Sequence, residues 1–258
     1  MIPTLIIVTF LVFLLLFLSP GDPVLMLVPA DEATQLTQED LDRIRSEMGL
    51  DRPIIVQYAD WLGHVLQGDL GRSVHQKRPV TELLGSRFPV TLELALLSVL
   101  VATTVAIPIG VYVALRPGSI GDFIGNVITL FGASAPNFWT ALLLIVIFSV
   151  QLDLLPAGGF TRISDDLGKH VERMILPVVT LSMSLMAVTM RLTRSSMLEG
   201  LNENYVRSAR SKGLPERRVV FVHALKNALI PVITTVGLQI GTILGGTVAI
   251  ELIFSFPG

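Results

Sequence analysis

Residues 205–218 read YVRSARSKGLPERR, five basic residues against one acid, set between two long apolar runs. A stretch this charged cannot lie in hydrocarbon, so it marks a loop between two segments that do. The rest of the chain agrees. Of its 258 residues, 51% are hydrophobic and only 16% are charged, with a mean hydropathy of +0.68. Ordinary soluble proteins carry about a quarter charged residues. The sequence is that of an all-α polytopic membrane protein. The formal net charge of −2 averages over regions facing different compartments and decides little. No cysteine is present, which excludes a disulfide, a thiolate metal site and a cysteine nucleophile.

Crossing about 30 Å of hydrocarbon takes about 20 mostly apolar residues. Five segments qualify, at about 2–18, 90–115, 123–150, 174–190 and 229–253. Each should be helical, because an open strand leaves backbone groups unsatisfied in lipid. Ile2–Leu18 lacks a basic flank and the following SPGDP offers no small-x-small cleavage site, so it reads as a retained span rather than a signal peptide.

Loop charge sets the orientation. Residues 191–228 hold eight Lys/Arg against three Glu, 151–173 hold three against four acids, and 19–89 hold seven against eleven. The 191–228 loop and the amino terminus should therefore face the cytoplasm, with 19–89 and 151–173 outside. Within the outer segment, Thr37 and Asp40 have capping-box spacing, and Leu41, Ile44 and Met48 would share a helical face closed by Gly49. A second amphipathic helix is expected around Ile54, Tyr58, Trp61 and Val65. The expected division is 1–89, the first helix and outer segment, and 90–258, the core.

Catalytic chemistry finds little support. Ser134 in GASAP has no base near it, since His64, His75, His170 and His223 all fall in loops. There is no His-Glu-x-x-His, no intramembrane aspartate pair and no P-loop. Glu93 and Glu251 sit near the outer ends of their segments, where they can reach water or the outer helices. Asn137, beside Pro136, is the most polar group of the third span; its expected role is to satisfy a freed backbone carbonyl, with a place on the path as the alternative. Gly237, Gly241 and Gly245 form a small-residue ridge, with Gln239 off it. Its expected role is packing within the chain, with a subunit contact or path lining as the alternative. Gln239 and Gly241 join Asn137 as candidate path residues. A channel or secondary carrier with no ATPase partner is the competing functional class.

Nearly the whole chain resembles the permease subunit of binding-protein-dependent ABC importers of the dipeptide, oligopeptide and nickel class. The resemblance runs through LSPGDP (18–23), MGLDRPIIVQYADWLGHVLQGDLGRS (48–73), RFPVTLELA (87–95), PNFWTALLLIVIFSVQLDLLPAGG (136–159), residues 191–232 and ELIFSFPG (251–258). Such permeases carry EAA, three residues, Gly, nine residues and I-x-L-P. Here Arg207-Ser208-Ala209 occupy the EAA positions and Gly213 the glycine, while His223-Ala224-Leu225-Lys226 take the last block, the proline being displaced to Pro231.

The resemblance implies an ABC importer permease fold of six spans, of which five are visible. It implies a second homologous permease subunit, two cytoplasmic ATPase subunits carrying ATP-Mg, and an extracytoplasmic binding protein. No cofactor would be bound by this chain, which would sit in a bacterial or archaeal inner membrane. The sequence would lack the last helix and a few residues at the start. The coupling loop would present Leu201, Tyr205, Arg207, Ala209, Lys212, Gly213, Leu214 and Arg217. A single amphipathic helix over Met197–Lys212 is expected there, ended by Gly213. Its charges could also rest on anionic lipid.

Overall fold

The computed structural model of the chain describes residues 2–18, 37, 40, 42–43, 46, 49–73 and 76–257. Two compact units divide at Ser86/Arg87. Leu41, Ile44, Met48 and His75 lie outside the described residues.

The first unit contains α1, Ile2–Leu18, and α2, Ile54–Leu66. The buried Tyr58 of α2 packs edge-on against Phe10 and Phe13 of α1. Its hydroxyl donates to the Ile6 carbonyl at 3.2 Å and lies 2.8 Å from the Thr9 hydroxyl. Of the residues whose spacing predicted α2, Tyr58 is buried, Ile54 and Val65 are half-buried and Trp61 is exposed. The capping box also forms, since Thr37 Oγ1 donates to Asp40 Oδ2 at 2.6 Å and the Asp40 N–H donates back to Thr37 Oγ1 at 3.3 Å. Gly49 adopts φ +67°, the left-handed closure expected of it.

Among the described residues, three helices are long and apolar enough to cross a membrane: α3 (Val80–Leu115), α6 (Leu167–Asn202) and α8 (Glu216–Gly246). A bent pair, α4 (Ile120–Ser134) and α5 (Asn137–Gln151), raises this to four if the pair is one span. At 1.5 Å per residue, the 36-residue α3 and α6 are each about 54 Å long. They overrun the expected 90–115 and 174–190 at one or both ends. Asp166 caps the start of α6 by accepting from the Lys169 N–H, which holds its carboxyl below the usual carboxylate range.

Small residues set the helix spacing. Ala95, Ser98, Ala102, Ala106 and Gly110 of α3 are all buried, every third or fourth residue, and this stripe lies against α6. A Cβ on Gly110 would stand 2.8 Å from Thr193 Cβ and 2.9 Å from the Met190 carbonyl oxygen. The Ser182 hydroxyl donates across the same seam to the Ser98 carbonyl at 3.1 Å. Helix α4 packs on α6 in like manner, with Gly125 under Met190 and Gly132 under Met183 and Ala187. In lipid, where apolar surface gains nothing from leaving water, such close approach is the main source of helix association.

Two of the expected spans are broken. The run 123–150 bends by 106° between Ser134 and Asn137. Pro136 lacks an N–H and forces Ala135 out of helical geometry (φ −75°, ψ 126°), so α4 ends there and α5 starts afresh. The run 229–253 ends as α8 at Gly246, and a separate helix, α9 (Val248–Ile253), follows Thr247. Wide, π-helical turns at Ile145–Gln151 and Val219–Ala224 fall at one end of α5 and near the start of α8.

Besides two small apolar clusters, the second unit holds two larger ones among the described residues. One gathers Val90, Leu94, Ala141, Met174, Leu181, Ile250, Phe254 and Phe256. There the chain after α5 meets α9 so closely that a Cβ on Gly158 would lie 2.6 Å from the Phe254 carbonyl oxygen, while the Gly159 N–H donates to that same oxygen at 2.7 Å. The other cluster joins Val111, Ala114 and Met197 to Val206, Ala209, Val219, Val220 and Ala224.

Candidate coupling loop and helix-elbow cavity

The expected single helix over Met197–Lys212 is two helices. Helix α6 runs on to Asn202, Glu203 is extended (ψ 151°), and α7 spans Asn204–Ser211. The Asn202 side chain donates back to the Leu198 carbonyl at 2.9 Å, closing the end of α6. The turn at Glu203 lets Val206 and Ala209 bury against Val219 and Val220, which a straight continuation would not do. Packing gain outweighs helix continuity. Leu198 and Leu201 flank the same cluster.

Helix α7 closes as sequence reasoning required. Gly213 has φ +76°. Its N–H donates to the Arg210 carbonyl at 2.9 Å, and the Leu214 N–H reaches the Ala209 carbonyl at 3.4 Å. Those two bonds, with Leu214 and Ala209 in one apolar cluster, form a Schellman closure. Arg210 is then drawn onto Glu216 by a forked pair at 2.6 and 3.1 Å, tying α7 to the start of α8.

Of the predicted loop residues, Ala209 is buried and Leu201 and Leu214 are half-buried. They form the seat of α7. Tyr205, Arg207 and Lys212 are exposed on it, the Tyr205 hydroxyl lying over Gly200. Arg217 is exposed too, but beyond Pro215, on α8. None of Arg207, Lys212, Arg217 and Arg218 has an ion-pair partner among the described residues.

An ion pair that sequence reasoning missed braces this end of the bundle. Arg194 of α6 grips Asp122 of α4 through Nε and an Nη at 2.7 and 2.9 Å. The same carboxylate accepts from the Gly118 N–H at 3.0 Å and from Asn126 Nδ2 at 3.0 Å. All its lone pairs are used. Asp122 falls just outside the expected span 123–150; the signal available was its place three residues after Ser119, a cap position.

At the other end, two acids are more enclosed than expected. Glu251 is 5% exposed and accepts from the Thr91 and Thr247 hydroxyls at 2.7 and 3.0 Å. Glu93 stands 2.9 Å from Nε2 of the buried His170, whose Nδ1 lies 2.7 Å from the Thr161 carbonyl oxygen. A carbonyl only accepts, so Nδ1 carries a proton. Nε2 of the same ring faces the Glu93 carboxylate.

The three candidate path residues do not meet in one cavity. Asn137 makes no side-chain hydrogen bond among the described residues. It lines a cavity of about 300 Å³ in the elbow of α4 and α5, together with Thr140, Thr180 and Ser184. The Pro136 carbonyl is taken by Thr140 Oγ1 instead, at 3.3 Å. Gln239 is 9% exposed; its oxygen accepts from Thr189 at 3.4 Å while its Nε2 has no partner. Gly241 lies on the opposite face. A Cβ there, or on Gly237 or Gly245, would meet nothing within 4 Å. The ridge assigned to packing within the chain is open, and the α3 stripe does that work.

Ser134 is exposed at the end of α4 and His170 is engaged elsewhere, so no nucleophile–base pair forms between them. No group of three or more metal-ligating side chains occurs among the described residues.

Membrane-length helices, a proline-broken pair around a mostly apolar cavity and a short helix seated between two spans are the features of a polytopic membrane component. Comparison with known proteins specifies which. Residues 106–258 match the family described as binding-protein-dependent transport system inner membrane component, and residues 1–95 match the N-terminal membrane component of such systems. The chain belongs to this family of multi-pass inner-membrane transport permease components. It is 44% identical over 279 residues to the di/tripeptide transport system permease protein DppB of Pseudomonas aeruginosa, covering 100% of this chain and 82% of that one. It is 41% identical over 260 residues to the oligopeptide transport system permease protein AppB of Bacillus subtilis, covering 100% and 81%. Identity to the dipeptide transport system permease protein DppB of Escherichia coli is 40% over 282 residues, covering 100% and 82%.

Proposed function

We propose that the chain is the translocation subunit of an ATP-driven importer of dipeptides, oligopeptides or similar small solutes. It pairs with a second, related permease, with two ATPase subunits on the cytoplasmic side and a substrate-binding protein outside. ATP-Mg belongs to the ATPases. The observation that carries this reading is α7: a short helix closed by Gly213, seated by Val206 and Ala209, and presenting Tyr205, Arg207 and Lys212 outward. An isolated helix of this kind suits a groove on a partner.

Helix α7 is joined to α6 through Glu203, to α8 through Arg210–Glu216, and α6 is joined to α4 through Arg194–Asp122. A displacement of α7 by a closing ATPase is thereby shared among three helices, whose rigid rocking alternates access to a path. The elbow cavity beside Asn137, and Gln239 with its unpartnered amide, are the polar points from which such a path would be built. The amino terminus is cytoplasmic in this reading, which rests on the excess of Lys/Arg in 191–228.

The test is co-purification. Tagged protein taken from its native membrane should bring down an ATP-hydrolysing subunit whose activity rises with binding protein and peptide. Failure to recover any ATPase would favour the channel or carrier class.

A further inference from the structure

The outward face of α8 changes character within one turn. Its buried face is Val219, Val220, Ala224, Ala228 and Val232, which pack into the chain. The opposite face begins with Arg217 and Arg218, both exposed. Four residues on come Phe221 and Val222, each 52% exposed, and four beyond Val222 comes Lys226, also exposed. Ile230 and Ile233 continue the face as open apolar surface. Nothing in the described chain covers it.

We propose that Arg217, Arg218 and Lys226 bind the phosphates of anionic lipid headgroups where α8 enters the bilayer. The proposal rests on the membrane-spanning character of α8 and not on ATPase docking. Phe221 and Val222 have the exposure of groups solvated by acyl chains, and they follow the arginines by a single turn. The arginines are therefore held at phosphate level. Lys226 sits one turn deeper on an otherwise apolar face, a place where a lysine extends its stem along the helix and returns its ammonium to the headgroups.

No acid among the described residues offsets these three charges, for none of the three makes an ion pair there and Glu216 beside them is held by Arg210. Charge complementarity thus asks for an external anion. A protein partner would have to cover apolar surface one turn above the arginines as well, whereas a phospholipid supplies phosphate and acyl chain together. The basic residues of the loop then divide: Arg207 and Lys212 on α7 face the aqueous partner, and those beyond Pro215 hold the membrane surface.

The experiment uses the whole transporter complex in mild detergent, titrated with phosphatidylglycerol and read by native mass spectrometry. Wild type should bind this lipid more strongly than phosphatidylethanolamine, and less as salt rises. R217Q, R218Q and K226Q should each weaken binding about fivefold, while R217K/R218K stays near wild type and R207Q/K212Q leaves lipid binding unchanged. Equal phosphatidylglycerol binding by the glutamine variants and wild type would overturn the proposal. So would loss of the ATPase subunits from the glutamine variants with lipid binding intact, which would assign the arginines to that partner. If no ATPase accompanies even the wild type, the importer reading fails, yet the same titration on the permease alone still decides the lipid site.

Discussion

Replacing Gly213 by valine tests the coupling loop at its narrowest point. The backbone there is left-handed, φ +76°, and a Cβ would meet nothing within 4 Å. The cost is therefore conformational and not a clash. A non-glycine L-residue pays about 1–2 kcal/mol in that region, and a β-branched one stands at the upper end. About 2 kcal/mol is a factor of roughly 30 in the local equilibrium. It falls on the bonds from Gly213 to Arg210 and from Leu214 to Ala209, which close α7 beside the cluster that Ala209 and Leu214 join, and leaves the cluster around Phe254 untouched. The Gly213→Val protein should insert and assemble at normal levels, hydrolyse ATP without stimulation by binding protein, and lose most peptide uptake. Gly213→Asn, able to occupy the left-handed region, should retain most uptake. Uptake into vesicles, ATPase rate and membrane abundance are measured side by side. Wild-type uptake by the valine variant, with stimulation preserved, would refute the reasoning.

Further outcomes follow from the packing. Gly110→Ala drives a methyl into Thr193 and the Met190 carbonyl and should destabilise the protein by about 1–3 kcal/mol in a thermal or denaturant assay, whereas Gly241→Ala should leave the isolated chain unchanged. Glu93→Gln should be tolerated, because its amide N–H can donate to His170 Nε2, while Glu93→Ala should cost about 1–3 kcal/mol. Asp122→Asn should lower the thermal midpoint, and Arg194→Lys should do so less, keeping the charge but not the fork. Gln239→Leu should raise stability by removing an unpartnered buried amide, and if Gln239 lines the path, should slow uptake in the same protein.

Helical spans, the loop and its glycine were legible because each has a local cause. Lipid excludes charge, so apolar runs are read directly, and a left-handed turn leaves glycine as its signature. Position 203 was not legible, since Glu203 turns only because Val206 and Ala209 gain a seat on Val219 and Val220, residues far enough along the chain to be invisible to helical spacing. The small-residue seam was misplaced for a related reason. Gly237, Gly241 and Gly245 make a clearer pattern than Ala95, Ser98, Ala102, Ala106 and Gly110, yet only the second stripe meets a neighbour in this chain. Pro136 was visible in 123–150, but a proline can kink a span or break it, and here the chain turns by 106°. The Asp122–Arg194 and Glu93–His170 pairs each join residues more than 70 positions apart, which no local spacing announces.

The absence of cysteine from the chain permits one direct measurement of the central claim, that α7 is the contact for an ATPase. A single cysteine placed at the exposed Ser208 of α7, in the assembled transporter, should cross-link to an ATP-hydrolysing subunit, and should do so differently with and without ATP. The same reagent at Ile230, on the open face of α8, should give no such product. An ATPase that co-purifies and never cross-links from position 208 would contradict the account.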